Sequence, residues 1–157
     1  IETEASRALV EMRTMVRMLR RDDPADLAPT PDLTDIAEFV RLPAAGPAVD
    51  LRIDGDPTAL PSATSAAIFR LAQEAVTNAR RHARHATRIE VVVSADDDAI
   101  RLRVHDDGAP VGGVAPGYGL IGMTERAALL GGTCVAGPEA TGGWTVLAEL
   151  PRHGVPT

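Results

Sequence analysis

The stretch Gln73–Ala83, QEAVTNARRHA, decides how the chain reads. Its pattern is helical: at about 100° per residue, Ile68, Leu71, Ala72, Ala75, Val76, Ala79 and Ala83 form one broad apolar stripe. Arg70, Gln73, Thr77, Arg80 and Arg84 fall on the opposite, solvent side. Glu74, Asn78 and His82 recur at every fourth position on the boundary between the two. A boundary stripe is where a helix lines a cleft, half buried and half wet. A plainer account also fits these residues alone, with an i,i+4 contact from Glu74 to Asn78 and His82 complementing the helix dipole.

On the N-terminal side, IETEASRALVEMRTMVRMLRR places Ala5, Ala8, Leu9, Met12, Met15, Val16 and Leu19 at helical spacing, an amphipathic helix in search of a partner. DDPADLAPTPDL holds three prolines, which break a helix and make a semi-rigid linker. A short helix is expected in LTDIAEFVR. Beyond it VDLRI alternates as a strand, and TRIEVVVSA with IRLRVHD reads as a hairpin across an acidic turn. GMTERAALLGG is a helix closed by Gly131, and GTCVAGPE with GWTVLAELP makes a final hairpin. The sum is a sheet with helices on one face, a two-layer α/β sandwich.

Composition narrows the function classes. The chain has 157 residues, 45% hydrophobic and 24% charged, enough for one main core with a short appendage. Its net charge of −6 makes the whole a poor partner for nucleic acid, despite the basic run RRHARHATR, so any phosphate site must be local. Stacking aromatics for single strands are scarce. The lone Cys134 can form no internal disulfide and sits in an apolar strand pattern, where a thiol behaves as a small hydrophobe. No apolar run approaches the roughly 20 residues of a membrane span. The N-terminus lacks a secretory leader pattern, so cytoplasmic residence is expected of the domain.

Two glycine sites lie downstream of the Glu–Asn helix. VHDDGAP puts Asp106 at the end of a strand with Gly108 two residues on, and GYGLIGMTER puts Gly117, Gly119 and Gly122 ahead of a helix. Alone, the first is a turn and the second a flexible loop. In this order, after an acid–Asn helix, the combination is a strong signal where each part alone is weak.

These residues resemble the ATP-binding domain shared by gyrase, Hsp90, MutL and bacterial sensor histidine kinases. QEAVTNARRHA is similar to the N box of the kinase subclass that signals to LuxR/NarL-type response regulators. DDG resembles the first glycine box, and GYGLIGMTERAALLGG the second. The resemblance runs from about Leu51 to Pro151. It implies an α+β fold of the Bergerat type, a mixed and mostly antiparallel sheet covered on one face by helices. By the same resemblance, residues 1–21 would be the end of a dimerisation helix, 22–34 a linker, 35–152 the catalytic ATP-binding domain and 153–157 a tail.

The resemblance further implies ATP and Mg²⁺ as ligands. Asn78 would be the magnesium ligand, Glu74 the base beside the transferred phosphate, and Arg81 and His82 phosphate contacts, His82 counted with the catalytic set. Asp106 would accept a hydrogen bond from the adenine amino group, with Gly108 letting backbone approach the base. Gly117, Tyr118, Gly119, Leu120 and Gly122 would form a lid presenting N–H groups to the phosphates. The segment from Ala109 to Tyr118 is expected to be mobile without nucleotide.

Two positions depart from the family pattern. Pro110 replaces a glycine of the first box, and Trp144 follows Gly143 where the family commonly has Gly-Thr, leaving the neighbouring Thr145 as the candidate for a water-bridged adenine contact.

The implied partners are a dimerisation domain of the same kinase carrying the acceptor histidine, in a homodimer, and a LuxR/NarL-type response regulator. The chain's own histidines are His82, His85, His105 and His153, of which only His105 is followed by an acid. His105 lies in a strand pattern, so the chain reads as a catalytic fragment without its acceptor. The alternatives are a gyrase-type ATPase, in which Glu74 would activate water, and a nucleotide-binding regulatory module without transfer activity.

Overall fold

The computed structural model describes Met12, residues 30–109 and residues 117–153. The chain divides into two units, Ile1–Thr30 and Pro31–Thr157, and almost all described residues belong to the second. The expected dimerisation helix apart from Met12, most of the linker, Pro110 and the tail beyond His153 lie outside the described residues.

The second unit runs α1 (Asp35–Arg41), β1 (Ala48–Asp54), α2 (Ser62–His82), β2 (Arg88–Ala95), β3 (Ala99–Asp106), α3 (Tyr118–Leu129), β4 (Thr133–Pro138) and β5 (Trp144–Pro151). The strands form one sheet in the order β1-β2-β3-β5-β4. β1 pairs with β2 in parallel, and every other pairing is antiparallel. A parallel pair needs a crossover, and α2 supplies it.

α2 forms because Ala, Leu and straight-chain residues dominate its 21 positions and no Gly or Pro interrupts them. It ends at Ala83, whose extended backbone breaks the helical run. The expected apolar stripe is the buried one from Ile68 to Ala79: Ile68, Leu71 and Val76 are fully buried and Ala72, Ala75 and Ala79 nearly so, while Ala83 is half-buried and Ala67 and Phe69 join the core beside the stripe. Against it the sheet presents alternate residues, Ile89, Val91 and Val93 from β2, Ile100, Leu102 and Val104 from β3, and Val146, Ala148 and Leu150 from β5. Each fully buried Ile, Leu or Val contributes about 1.5–3 kcal/mol. Small alanines let the helix lie close on the strands, which suits a core with few aromatics. Phe39 and Phe69 meet edge to face at a centroid distance of 6.1 Å and fasten α1 to α2.

Leu33 is also in the core, so packing extends ahead of α1. Arg80 departs from the solvent side assigned to it, because its Nε is buried and has no hydrogen-bond partner among the described residues. The opposite sheet face is uncovered by the described residues and carries ion pairs between neighbouring strands, Arg88 with Asp50 at 2.5 Å and Arg101 with Glu149 at 2.7 Å among them. No helix among the described residues is long and apolar enough to cross a membrane.

Candidate functional site

The site begins where the inward row of β3 changes chemistry. Ile100, Leu102 and Val104 point into the core, and the next inward residue is Asp106, only 5% exposed. A buried carboxylate is costly unless hydrogen-bonded, so its presence at the end of an apolar row is the informative feature. Its Oδ1 accepts the backbone N–H of Gly108 at 3.0 Å; among the described residues Oδ2 accepts none. Gly108 is required by space: a Cβ there would lie 2.9 Å from Asp106 Oδ1 and 3.1 Å from the Cβ of Ala83.

The end of α2 is tied to this turn. Asp107 Oδ1 accepts the N–H groups of Thr87 at 2.7 Å and Arg88 at 3.0 Å, while Oδ2 accepts the Thr87 hydroxyl. These bonds, the Thr87 hydroxyl foremost, hold the Asp107 carboxyl down at about 2. The N–H of Ala109 donates to the Arg84 carbonyl at 2.7 Å. The loop between α2 and β2 turns at His85, whose φ of 58° is left-handed. Asp107 therefore fixes the Asp106–Gly108 turn to the start of β2, and the Ala109–Arg84 bond ties it to the chain just past the Glu–Asn helix. Sequence reading passed over Asp107 because DDG is an ordinary turn signal and its partners lie about 20 residues away.

Glu74 and Asn78 are half-buried on α2, as a cleft-lining stripe requires, and His82 and Arg81 are exposed on its last turn. Across from them lies α3. A Cβ on Gly119 would stand 2.6 Å from Glu74 Oε1 and 3.2 Å from Asn78 Nδ2, so the glycine backbone rests directly on both polar groups. The second glycine stretch is helical rather than a loop leading to a helix: Gly117 is the cap residue, its carbonyl accepting the N–H groups of Leu120 at 3.1 Å and Ile121 at 3.3 Å, and Tyr118, Gly119, Leu120 and Gly122 lie within α3. A Cβ on Gly117 or Gly122 would meet nothing within 4 Å. Of the segment expected to be mobile, Ala109 to Tyr118, residues 110–116 lie outside the described set, while Ala109 bonds Arg84, and Gly117 with Tyr118 opens α3.

Thr145 requires a correction. In β5 the inward residues are Trp144, Val146, Ala148 and Leu150, and Thr145 points to the uncovered face. There it bonds His105 Nδ1 at 2.8 Å and donates to Glu139 Oε1 at 2.5 Å. Glu139, which also accepts from Arg103 at 3.0 Å, is held below the usual carboxylate range, by Thr145 first and then by Arg103. Asp106 points to the opposite face, so Thr145 cannot share a ligand with it. The residue paired with Asp106 across the strands is Trp144. His105 faces outward with Thr145, away from the cleft.

Comparison with known proteins identifies the family. The family described as histidine kinase-, DNA gyrase B- and HSP90-like ATPase matches residues 63–154, which include every element from α2 to β5. The sensor histidine kinase LnrJ of Bacillus subtilis is 35% identical over 150 residues, 95% of this chain and 36% of that protein. The signal transduction histidine-protein kinase/phosphatase UhpB of Salmonella typhimurium is 36% identical over 109 residues, 68% of this chain and 21% of that one. The chain thus spans well under half the length of these relatives.

Among solved structures, the ATP-binding domain of PrrB from Mycobacterium tuberculosis shares the fold with a TM-score of 0.56 at 22% identity, covering 79% of this chain and 96% of that one. The blue-light activated histidine kinase of Erythrobacter litoralis does so with a TM-score of 0.58 at 21% identity, covering 76% of this chain and 39% of that one. The buried aspartate with its glycine, the Glu–Asn helix under a second glycine, and the match across 63–154 lead to one assignment: the chain belongs to the histidine kinase-, DNA gyrase B- and HSP90-like ATPase family.

Proposed function

We propose that this is the ATP-binding catalytic domain of a sensor histidine kinase, transferring the γ-phosphate of ATP to a histidine on a dimerisation domain of the same kinase for relay to a response regulator. The observation that carries the reading is the buried Asp106, which ends an apolar row beside the glycine it bonds. A carboxylate there recognises a ligand that brings its own N–H donor, and the adenine amino group is such a donor.

Asp106 orients the base, and Gly108 lets the turn close tightly on Asp106 and Ala83. Glu74 and Asn78 then face the phosphate end, with the N-terminus of α3 adding its positive dipole end near the transferred group. Arg81 and His82, on the last turn of α2, offer positive charge and hydrogen bonds to phosphate oxygens. Phosphoryl transfer depends mainly on positioning and charge stabilisation, and the site is built for both. Glu74 accepts or orients the proton of the attacking imidazole.

The donor set fits magnesium. Among the described residues no group of three or more His, Cys, Asp or Glu could hold a metal alone. Asn78 supplies a hard oxygen, and magnesium commonly binds through one or two protein oxygens together with nucleotide phosphates and water. The ion screens phosphate charge when bound.

The kinase reading is preferred to a gyrase-type ATPase because the curated relatives quoted above, LnrJ and UhpB, are both histidine kinases. UhpB and the nitrate/nitrite sensor NarX of Escherichia coli, 32% identical over 97 residues, support a LuxR/NarL-type regulator as partner. Residues 1–21 serve as the end of the dimerisation helix in this reading, 22–34 as the linker, and the kinase works as a homodimer with this domain in the cytoplasm. The test is transfer of labelled phosphate from Mg²⁺–ATP to a separate dimerisation fragment bearing the acceptor histidine. Labelling that depends on that histidine is expected; ATP hydrolysis without labelling would favour the ATPase.

A further inference from the structure

Trp144 has no role in the residue set above, yet it is the cross-strand neighbour of Asp106. Paired residues on antiparallel strands have Cβ atoms about 4.5–5.5 Å apart on one face. The inward row of β3 ends in a buried carboxylate, and the inward row of β5 begins with an indole that is half-buried against the core. Val146, Ala148 and Leu150 behind it are at most 4% exposed, so the row opens to solvent at Trp144.

Its backbone has little freedom to withdraw. Gly143, with φ at 80°, is pressed so close to β3 that a Cβ would fall 1.8 Å from the Asp106 carbonyl oxygen.

We propose that Trp144 is a wall of the base pocket, recognising the purine by ring contact while Asp106 reads its amino group. This rests on the nucleotide reading above. An indole has one N–H donor and no acceptor, so it has less hydrogen-bonding capacity here than a hydroxyl. What it offers is a flat apolar surface, and base–aromatic contact is tolerant of base identity. The two residues therefore divide the work: Trp144 sets affinity for any purine nucleotide, and Asp106 sets preference for the 6-amino group.

The chain contains one tryptophan, so intrinsic fluorescence reports on this position alone. Addition of Mg²⁺–ADP to the full chain is expected to shift Trp144 emission and reduce its quenching by acrylamide. Trp144→Ala should weaken ADP and IDP binding by the same factor, roughly tenfold, while Trp144→Phe stays within about threefold of the parent. Asp106→Asn should instead change the ratio of ADP to IDP affinity. If calorimetry shows ADP binding but emission and acrylamide quenching do not change, the indole is not in the pocket and the proposal fails. It also fails if folded Trp144→Ala binds ADP like the parent. Absence of ADP binding to the parent chain would instead bring down the nucleotide reading itself.

Discussion

Gly119 of α3 rests on Glu74 of α2, with space for a Cβ only 2.6 Å from the Glu74 Oε1 atom and 3.2 Å from Asn78 Nδ2. The contact joins a glycine from one stretch of sequence to the acid–Asn pair of another, and it makes the position of α3 sensitive to one methyl group. Gly119→Ala is expected to leave folding nearly unchanged. Ala is favoured over Gly inside a helix by roughly 0.5–1 kcal/mol, and the carboxylate is the movable end of a flexible side chain. Transfer should nonetheless fall at least about tenfold, the order expected when a proton-handling group is displaced. Thermal melts together with a transfer assay check this, and full activity would mean that α3 does not hold this seat during catalysis.

Separate substitutions distinguish the two α2 groups. Glu74→Gln keeps shape and removes charge, so nucleotide affinity should hold within a few-fold while transfer falls by roughly 10²–10⁴, as for a general base. Asn78→Ala should remove the magnesium-dependent part of ATP binding. Binding measured with and without Mg²⁺ is the check; equal loss in both conditions would place Asn78 elsewhere in the mechanism.

Asp106→Asn preserves an oxygen for the Gly108 N–H but loses the charge. A hydrogen bond to a charged group contributes about 1.5–3 kcal/mol, so ADP affinity should drop by roughly ten- to a hundredfold. Calorimetry on the folded variant measures it, and an unchanged affinity would remove Asp106 from base recognition.

Asp107 makes stability sensitive to acid. Its folded pKa is lowered from 3.8 to about 2 by the Thr87 hydroxyl and the N–H groups of Thr87 and Arg88. A depressed carboxylate stabilises the fold fully above its unfolded value, so this contribution is complete above about pH 4. It fades as pH falls from 3.8 through about 2. Asp107→Asn should flatten the loss of melting temperature in that window and lower it at neutral pH. A parallel acid profile in variant and parent would show that the clamp carries no linked proton.

The local patterns were legible because they are periodic. The apolar stripe of α2 and the alternating rows of β2, β3 and β5 name their own buried faces, since a helix and a strand repeat at fixed angles. Asp106 could be singled out as the end of a strand with Gly108 two residues on, and its adenine role entered by family resemblance; its burial at the end of an apolar inward row became visible only in the fold. The pairing of Asp106 with Trp144 rather than Thr145 lies beyond such reasoning. It depends on the register between β3 and β5, and a shift of one residue sends every side chain to the other face. The clamp of Asp107 on Thr87 and the seat of Gly119 on Glu74 likewise join groups far apart in the chain. Periodicity along one element carries no information about which group of another element will meet it; that is decided when the core closes and fixes the distances between them.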